Sequence, residues 1–135
     1  MSLMSNFDVV ASAMSAQALR LNITTSNMAN ADTVSSTPEA AYRSRNPIFR
    51  SLMVNDKHQS VGVQMLGVVE SQTPVQTRHA PGHPLADENG NIYGSNVNTV
   101  EQMVNMISAS RSYQSNIEVL NTSKQLMMRT LTLGQ

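Results

Sequence analysis

The 135-residue sequence has no cysteine. That excludes a disulfide framework, a thiolate metal site and a cysteine nucleophile, and leaves open whether the protein works in a reducing or an oxidising compartment. Charge is scarce too. Asp, Glu, Lys and Arg make up 13% of the residues and the net charge is zero, against about 25% charged residues in an ordinary domain. Ser, Thr, Asn and Gln fill much of the difference, and a neutral polar surface offers little repulsion between copies, so association is favoured. Nucleic acid is excluded as a partner class: the densest basic cluster, Tyr42 to Arg50, holds only Arg43, Arg45 and Arg50 and is read as a solvated loop. No run approaches the ~18 apolar residues of a membrane span, so the chain is not expected to be transmembrane. Met1 to Asp8 has neither the basic n-region nor the apolar h-region of a cleaved signal. Any route out of the cytoplasm is expected to do without one.

Proline and glycine are missing from both ends: all five prolines, and every glycine except Gly134, lie between Pro38 and Gly94. Within the first end Phe7, Met14, Leu21 and Met28 recur every seven residues, with Val10, Ala11 and Ala18 between them. This is the narrow stripe of a helix that packs on other helices, expected from about Asn6 to Asn30. In the last segment Val100, Met103, Met106, Ile107, Ser110, Tyr113, Ile117, Leu120, Lys124, Met127 and Leu131 follow steps of three and four. Thr99 with Gln102 reads as a capping box at its head, and Gly134 as its stop. At 1.5 Å per residue such a helix runs about 50 Å, longer than a small domain needs for its own core. Small residues from Ala11 to Ala18 keep the first helix thin, and methionines supply adaptable apolar contact. Packing between copies is therefore expected over a purely internal core.

The middle reads as a small β insert. Ser60 to Met65 alternates, Val68 to Glu70 and Pro74 to Thr77 continue with β-branched residues, and Asn89-Gly90 suits a two-residue hairpin turn between Leu85 and Ile92-Tyr93. The fold class is thus mainly α with a small β insert: residues 1–33 a helix, 34–97 a strand- and turn-rich insert, 98–135 a second helix.

Catalytic patterns are weak. His79, His83 and Asp87 resemble a metal constellation, but histidines four apart converge only on a helix, which Pro81, Gly82 and Pro84 forbid. Asp87 to Asn91 begins like a calcium loop, yet Ile92 and Asn98 stand where glycine and glutamate are required. The sequons at Asn22 and Asn121 fall inside expected helices, and no phosphate-binding glycine pattern or nucleophile elbow occurs. No cofactor is expected.

The stretch Leu21 to Thr33, with Asn27 and Asn30 three apart, closes the first helix, where asparagine bonds nearby backbone and tolerates left-handed conformations. It resembles the N-x-A-N-x-x-T signature of bacterial flagellar rod, hook and hook-associated proteins. Val97 to Asn116, with Met103, Met106, Ile107, Ala109, Arg111, Tyr113 and Asn116, is similar to the C-terminal helix of the same family. Gly82 to Gly90 and Ser95 to Asn98 extend the resemblance, although Ser95 replaces a frequent proline. The resemblance implies a coiled-coil-like inner domain formed by both terminal helices, helical stacking of copies into a periplasm-spanning rod of the basal body, and passage through the flagellar export channel. Implied partners are the chain itself, other rod proteins, and proteins of the ring and export-gate junction.

The assembly interface expected on the first helix is Phe7, Val10, Met14, Leu21, Asn27, Met28 and Asn30. On the second it is Val100, Met103, Ile107, Tyr113, Asn116, Ile117, Leu120, Met127 and Leu131. Two alternatives stand beside this reading: another exported filament or needle subunit, or a small metal-dependent enzyme at His79, His83 and Asp87.

Overall fold

Without internal breakers, both ends form uninterrupted helices. The computed structural model describes residues 3–55 and 60–133. Along it run α1 (Leu3–Ala29), β1 (Val34–Ser35), β2 (Arg45–Asn55), β3 (Ser60–Glu70), β4 (Gln76–His79), β5 (Asn91–Gly94) and α2 (Thr99–Leu133). About half of the chain is helical, with two small sheets between the helices. The expected helix stop at Gly134 lies outside the described residues.

The structure departs from the sequence-based expectations in four places. First, Arg45 is not in a solvated loop; it opens the eleven-residue strand β2. Pro47 is tolerated there because β2 belongs to a two-stranded ribbon with β3 and has one edge with no ladder to donate to. Second, the expected strand segments Ser60 to Met65 and Val68 to Glu70 belong to one continuous strand, β3, that runs through Leu66 and Gly67. Third, Asn89-Gly90 does not join strands beginning at Leu85. The partner of β5 is β4, in antiparallel register from Gln76↔Gly94 to His79↔Asn91, because Pro81 and Pro84 carry no N–H for a ladder. Asn89-Gly90 instead turns the chain late in the connection, where Gly90 adopts φ of 72° and its N–H donates to the Asp87 carbonyl at 2.9 Å. Fourth, the cap of α2 is Asn98: its Oδ1 accepts from the N–H groups of Val100 and Glu101 at 3.1 and 3.2 Å. Gln102 turns inward rather than back to Thr99.

By its contacts the chain divides into two compact units. One comprises Met1–Leu21, Pro47–Gly67 and Ile107–Gln135. Its core is lined by small side chains, with Val10, Ala16 and Ala109 buried beside Ser5 and Ser123. Ser12 anchors the ribbon to α1: its hydroxyl donates to the Val9 carbonyl at 2.7 Å and accepts the Val63 N–H at 3.1 Å. That bond occupies a backbone donor on β3 which an isolated edge would leave open.

The other unit comprises Asn22–Asn46 and Val68–Met106. It holds the antiparallel sheet β1-β5-β4, in which Val34 faces Gly94 and Ser35 faces Tyr93. Ala41, Ile92 and Val97 form its apolar centre, and Thr24, Asn27, Ser44, Ser95 and Gln102 are buried polar residues around them. The Ser95 hydroxyl accepts the Val97 N–H at 3.0 Å.

Candidate assembly site

The two asparagines near the end of α1 have different tasks. Asn30 stops the helix: its Nδ2 donates back to the Ser26 carbonyl at 2.8 Å, and its own carbonyl accepts the Thr33 hydroxyl at 2.7 Å. Asn27, one turn earlier, is 1% exposed and reaches across the unit. Its Oδ1 accepts the Arg45 N–H at 2.9 Å while its Nδ2 donates to the Arg45 carbonyl at 2.8 Å. The carboxamide therefore pairs with a main-chain residue as a neighbouring strand would, and supplies the first residue of β2 with both of its bonds. Nδ2 also donates to Gln102 Oε1 at 3.1 Å, and Oδ1 accepts the Tyr42 hydroxyl at 3.1 Å. A buried carboxamide with every partner supplied fixes one arrangement, since leaving any of these groups unpaired costs about 1–3 kcal/mol.

Tyr42 and Arg45 extend the junction outward. The Arg45 guanidinium lies 5.5 Å from the centre of the Tyr42 ring and pairs with Glu70 at 3.4 Å, both side chains half exposed, so the ion pair itself contributes little. Asn96 ties the sheet to the same region: its Oδ1 accepts the Ser44 N–H at 2.7 Å and its Nδ2 donates to the Thr73 carbonyl at 2.8 Å. The sequence reading placed Tyr42 and Arg45 in a solvated loop, Gln102 in a capping box and Asn96 in the Ser95 to Asn98 resemblance; their roles in the junction escaped it, because each acts through a partner far along the chain.

The expected interface residues divide by exposure. Val10 and Asn27 are buried. Phe7, Met14, Leu21, Met28, Asn30, Tyr113, Asn116, Ile117, Leu120 and Met127 are half-buried. Val100, Met103, Ile107 and Leu131 stand out in solvent, 50–68% exposed. The inward positions of α2 are Gln102, Ala109 and Ser123, spaced by multiples of seven, so the chain's own packing uses a small and polar seam and leaves much of the apolar stripe outside.

His79, His83 and Asp87 are committed to the connection between β4 and β5. His79 Nδ1 lies 3.3 Å from Asn91 Oδ1, and His83 Nδ1 accepts the Leu85 N–H at 3.1 Å. Asp87 Oδ1 accepts the N–H groups of Asn89 and Asn91 at 2.9 and 2.8 Å, and Oδ2 accepts the Tyr93 hydroxyl at 2.9 Å. The Asn91 N–H, followed by the Tyr93 hydroxyl and the Asn89 N–H, holds the Asp87 carboxyl below its ordinary range despite some desolvation. Asp87 in turn raises the Tyr93 phenol. The geometry is that of a turn closed by a carboxylate, and among the described residues no three of His, Cys, Asp and Glu converge on a metal position. Among the same residues no helix is long and apolar enough to cross a membrane.

Comparison with known proteins points to both ends of the chain. Residues 7–34 match the family described as flagella basal body rod protein, and residues 88–133 match the flagellar basal body rod FlgEFG protein C-terminal family. Over its full length, and over the full length of each relative, the chain is 47% identical to flagellar basal-body rod protein FlgC of Salmonella typhimurium and 46% to that of Yersinia enterocolitica. The FlgC of Buchnera aphidicola from Acyrthosiphon pisum is 38% identical over the same extent.

Proposed function

The chain belongs to the FlgC family of flagellar basal-body rod proteins, structural subunits of the rod, and we propose that it builds the proximal rod by packing its terminal helices against those of neighbouring subunits. The supporting observation is the solvent-facing part of the α2 stripe: Val100, Met103, Ile107 and Leu131 are exposed while Gln102, Ala109 and Ser123 point inward. Leaving these apolar side chains in solvent forgoes roughly 25 cal/mol for each Å² that a partner could cover.

In this reading residues 1–33 and 98–135 form a coiled-coil-like inner domain, and residues 34–97 form a strand- and turn-rich insert between them in sequence. Copies stack helically with other rod proteins and meet the ring and export-gate junction at the base. The subunit reaches the rod through the flagellar export channel without a cleaved signal, and it catalyses no reaction. It transmits torque across the periplasm because long helices locked to several neighbours deform little. The test is deletion of the gene in the source bacterium: motility and the rod beyond the basal rings should vanish, and supplying the intact chain should restore both. A deletion strain with complete rods and normal swimming would overturn the proposal.

A further inference from the structure

Asn89-Gly90 is the one place in the sequence where asparagine precedes glycine; every other asparagine is followed by a residue with a side chain. The pair has a chemistry of its own. A backbone nitrogen that follows asparagine can attack the side-chain Cγ, and glycine permits this best, having no Cβ to crowd the approach and the widest backbone freedom. The Gly90 nitrogen forms a bond to Asn89 Cγ, the Cγ–Nδ2 bond breaks, and Nδ2 departs as ammonia with the proton that the Gly90 N–H gives up. Water then opens the cyclic imide at either carbonyl, leaving aspartate or isoaspartate at position 89.

The electrophile is available: Asn89 is exposed, and among the described residues no hydrogen bond engages its carboxamide. The nucleophile is held. The Gly90 N–H donates to the Asp87 carbonyl at 2.9 Å, and the Gly90 carbonyl accepts the Ala80 N–H at 2.8 Å. Asp87 Oδ1 accepts the N–H groups of Asn89 and Asn91 at 2.9 and 2.8 Å. One residue therefore holds the amides of Asn89, Gly90 and Asn91. Attack requires the Gly90 nitrogen to lose its proton, which donation to a carbonyl opposes. The imide nitrogen carries no hydrogen, so ring closure also removes the bond to Asp87 outright.

We propose that Asn89-Gly90 is a deamidation site that the Asp87 turn keeps closed in the folded chain and that reacts when the turn opens. The consequence falls on β4 and β5. Isoaspartate lengthens the main chain by a methylene inside the turn that joins these paired strands. Either product also adds a carboxylate beside those of Asp87 and Glu88, where like charges repel. A chain modified while open therefore closes the turn poorly. The assignment is independent of the rod reading.

To test this, full-length protein is incubated in mildly alkaline buffer, with and without guanidinium chloride, and conversion at Asn89 is followed by peptide mass spectrometry. Reaction through the open turn scales with the open population, so the native rate is expected to fall below the denatured rate by about tenfold or more. In the denatured chain Asn89 should outpace every other asparagine. Amide exchange at Gly90, which needs loss of the same proton, should be slowed by a similar factor in the native chain. Asp87→Ala removes the acceptor of the Asn89 and Asn91 N–H groups and should raise the native rate several-fold with the helical circular dichroism unchanged. Equal rates in the parent with and without denaturant would overturn the proposal, whether or not the variant folds. A folded Asp87→Ala chain that reacts no faster than the parent would remove Asp87 as the closing element and overturn it too.

Discussion

Asn27 Nδ2 lies 3.1 Å from Gln102 Oε1, a hydrogen bond between residues 75 apart in sequence that joins the end of α1 to the beginning of α2. The same carboxamide pairs with both main-chain groups of Arg45. One side chain thus fastens two helices and a strand.

Asn27→Ala should destabilise the chain by roughly 3 kcal/mol, since it strands buried donors and acceptors on several elements at once. Asn27→Asp is nearly the same shape, yet it should be as harmful near neutral pH, because a carboxylate oxygen would replace the Nδ2 donor facing the Arg45 carbonyl and Gln102 Oε1. Denaturant unfolding checks both. An Asn27→Asp variant as stable as the parent would show that the Nδ2 bonds do not hold the junction.

Much of this architecture was legible in the sequence, and the failures have physical causes. Both helices were visible because breakers are absent and the apolar spacing runs for many turns. The stop at Asn30 was visible because asparagine chemistry at a helix end is local. The role of Asn27 was not, since its partners Arg45 and Gln102 are remote. β2 was masked by Arg43, Arg45, Arg50 and Pro47, although Ile48, Phe49, Leu52 and Met53 carry strand character. Its side chains remain largely in solvent, so no clean alternation of apolar and polar residues was available to reveal it.

Gly90→Ala should cost about 1–2 kcal/mol from the left-handed backbone alone. The added Cβ would also meet Pro81 Cβ at 3.0 Å and His79 Cε1 at 3.1 Å. Thermal unfolding measures the loss, and NMR shifts of β4 and β5 should localise it. An unchanged midpoint would show that this turn does not require glycine.

The turn should also respond to pH at both extremes. The Asp87 carboxyl is lowered in the folded chain, chiefly by the Asn91 N–H, so its contribution is complete above the unfolded carboxylate pKa of about 3.9 and is lost as pH falls through the lower folded value. The Tyr93 phenol is raised, chiefly by its bond to Asp87, so its contribution is complete below about pH 10 and is lost as pH rises through the higher folded value. Amide shifts of Asn89 and Asn91 should report the acid step in the parent and lose it in Asp87→Asn. An identical acid step in that variant would assign the titration elsewhere.

Ile117→Asp or Leu120→Asp should abolish incorporation into the rod and with it motility, because a charge placed in the half-buried stripe of α2 is desolvated without a partner, at a cost of roughly several kcal/mol. Swimming cells with normal rods would remove this stripe from both core and interface.

In dilute monomer, the Asn27 junction should protect the amides of residues 22–30 and 97–106 against hydrogen exchange, while Ile107 to Leu131 exchanges faster until neighbours bury it. Equal strong protection along all of α2 in the monomer would show that its distal half is stable without assembly.

The central claim is that the apolar stripe left outside by the chain's own packing is covered by neighbouring subunits in the rod. Cryo-electron microscopy of basal bodies from the source bacterium tests it directly. Side-chain density from adjacent subunits is expected against Val100, Met103, Ile107 and Leu131; a rod map in which this chain is placed and those four residues still face solvent would contradict the claim.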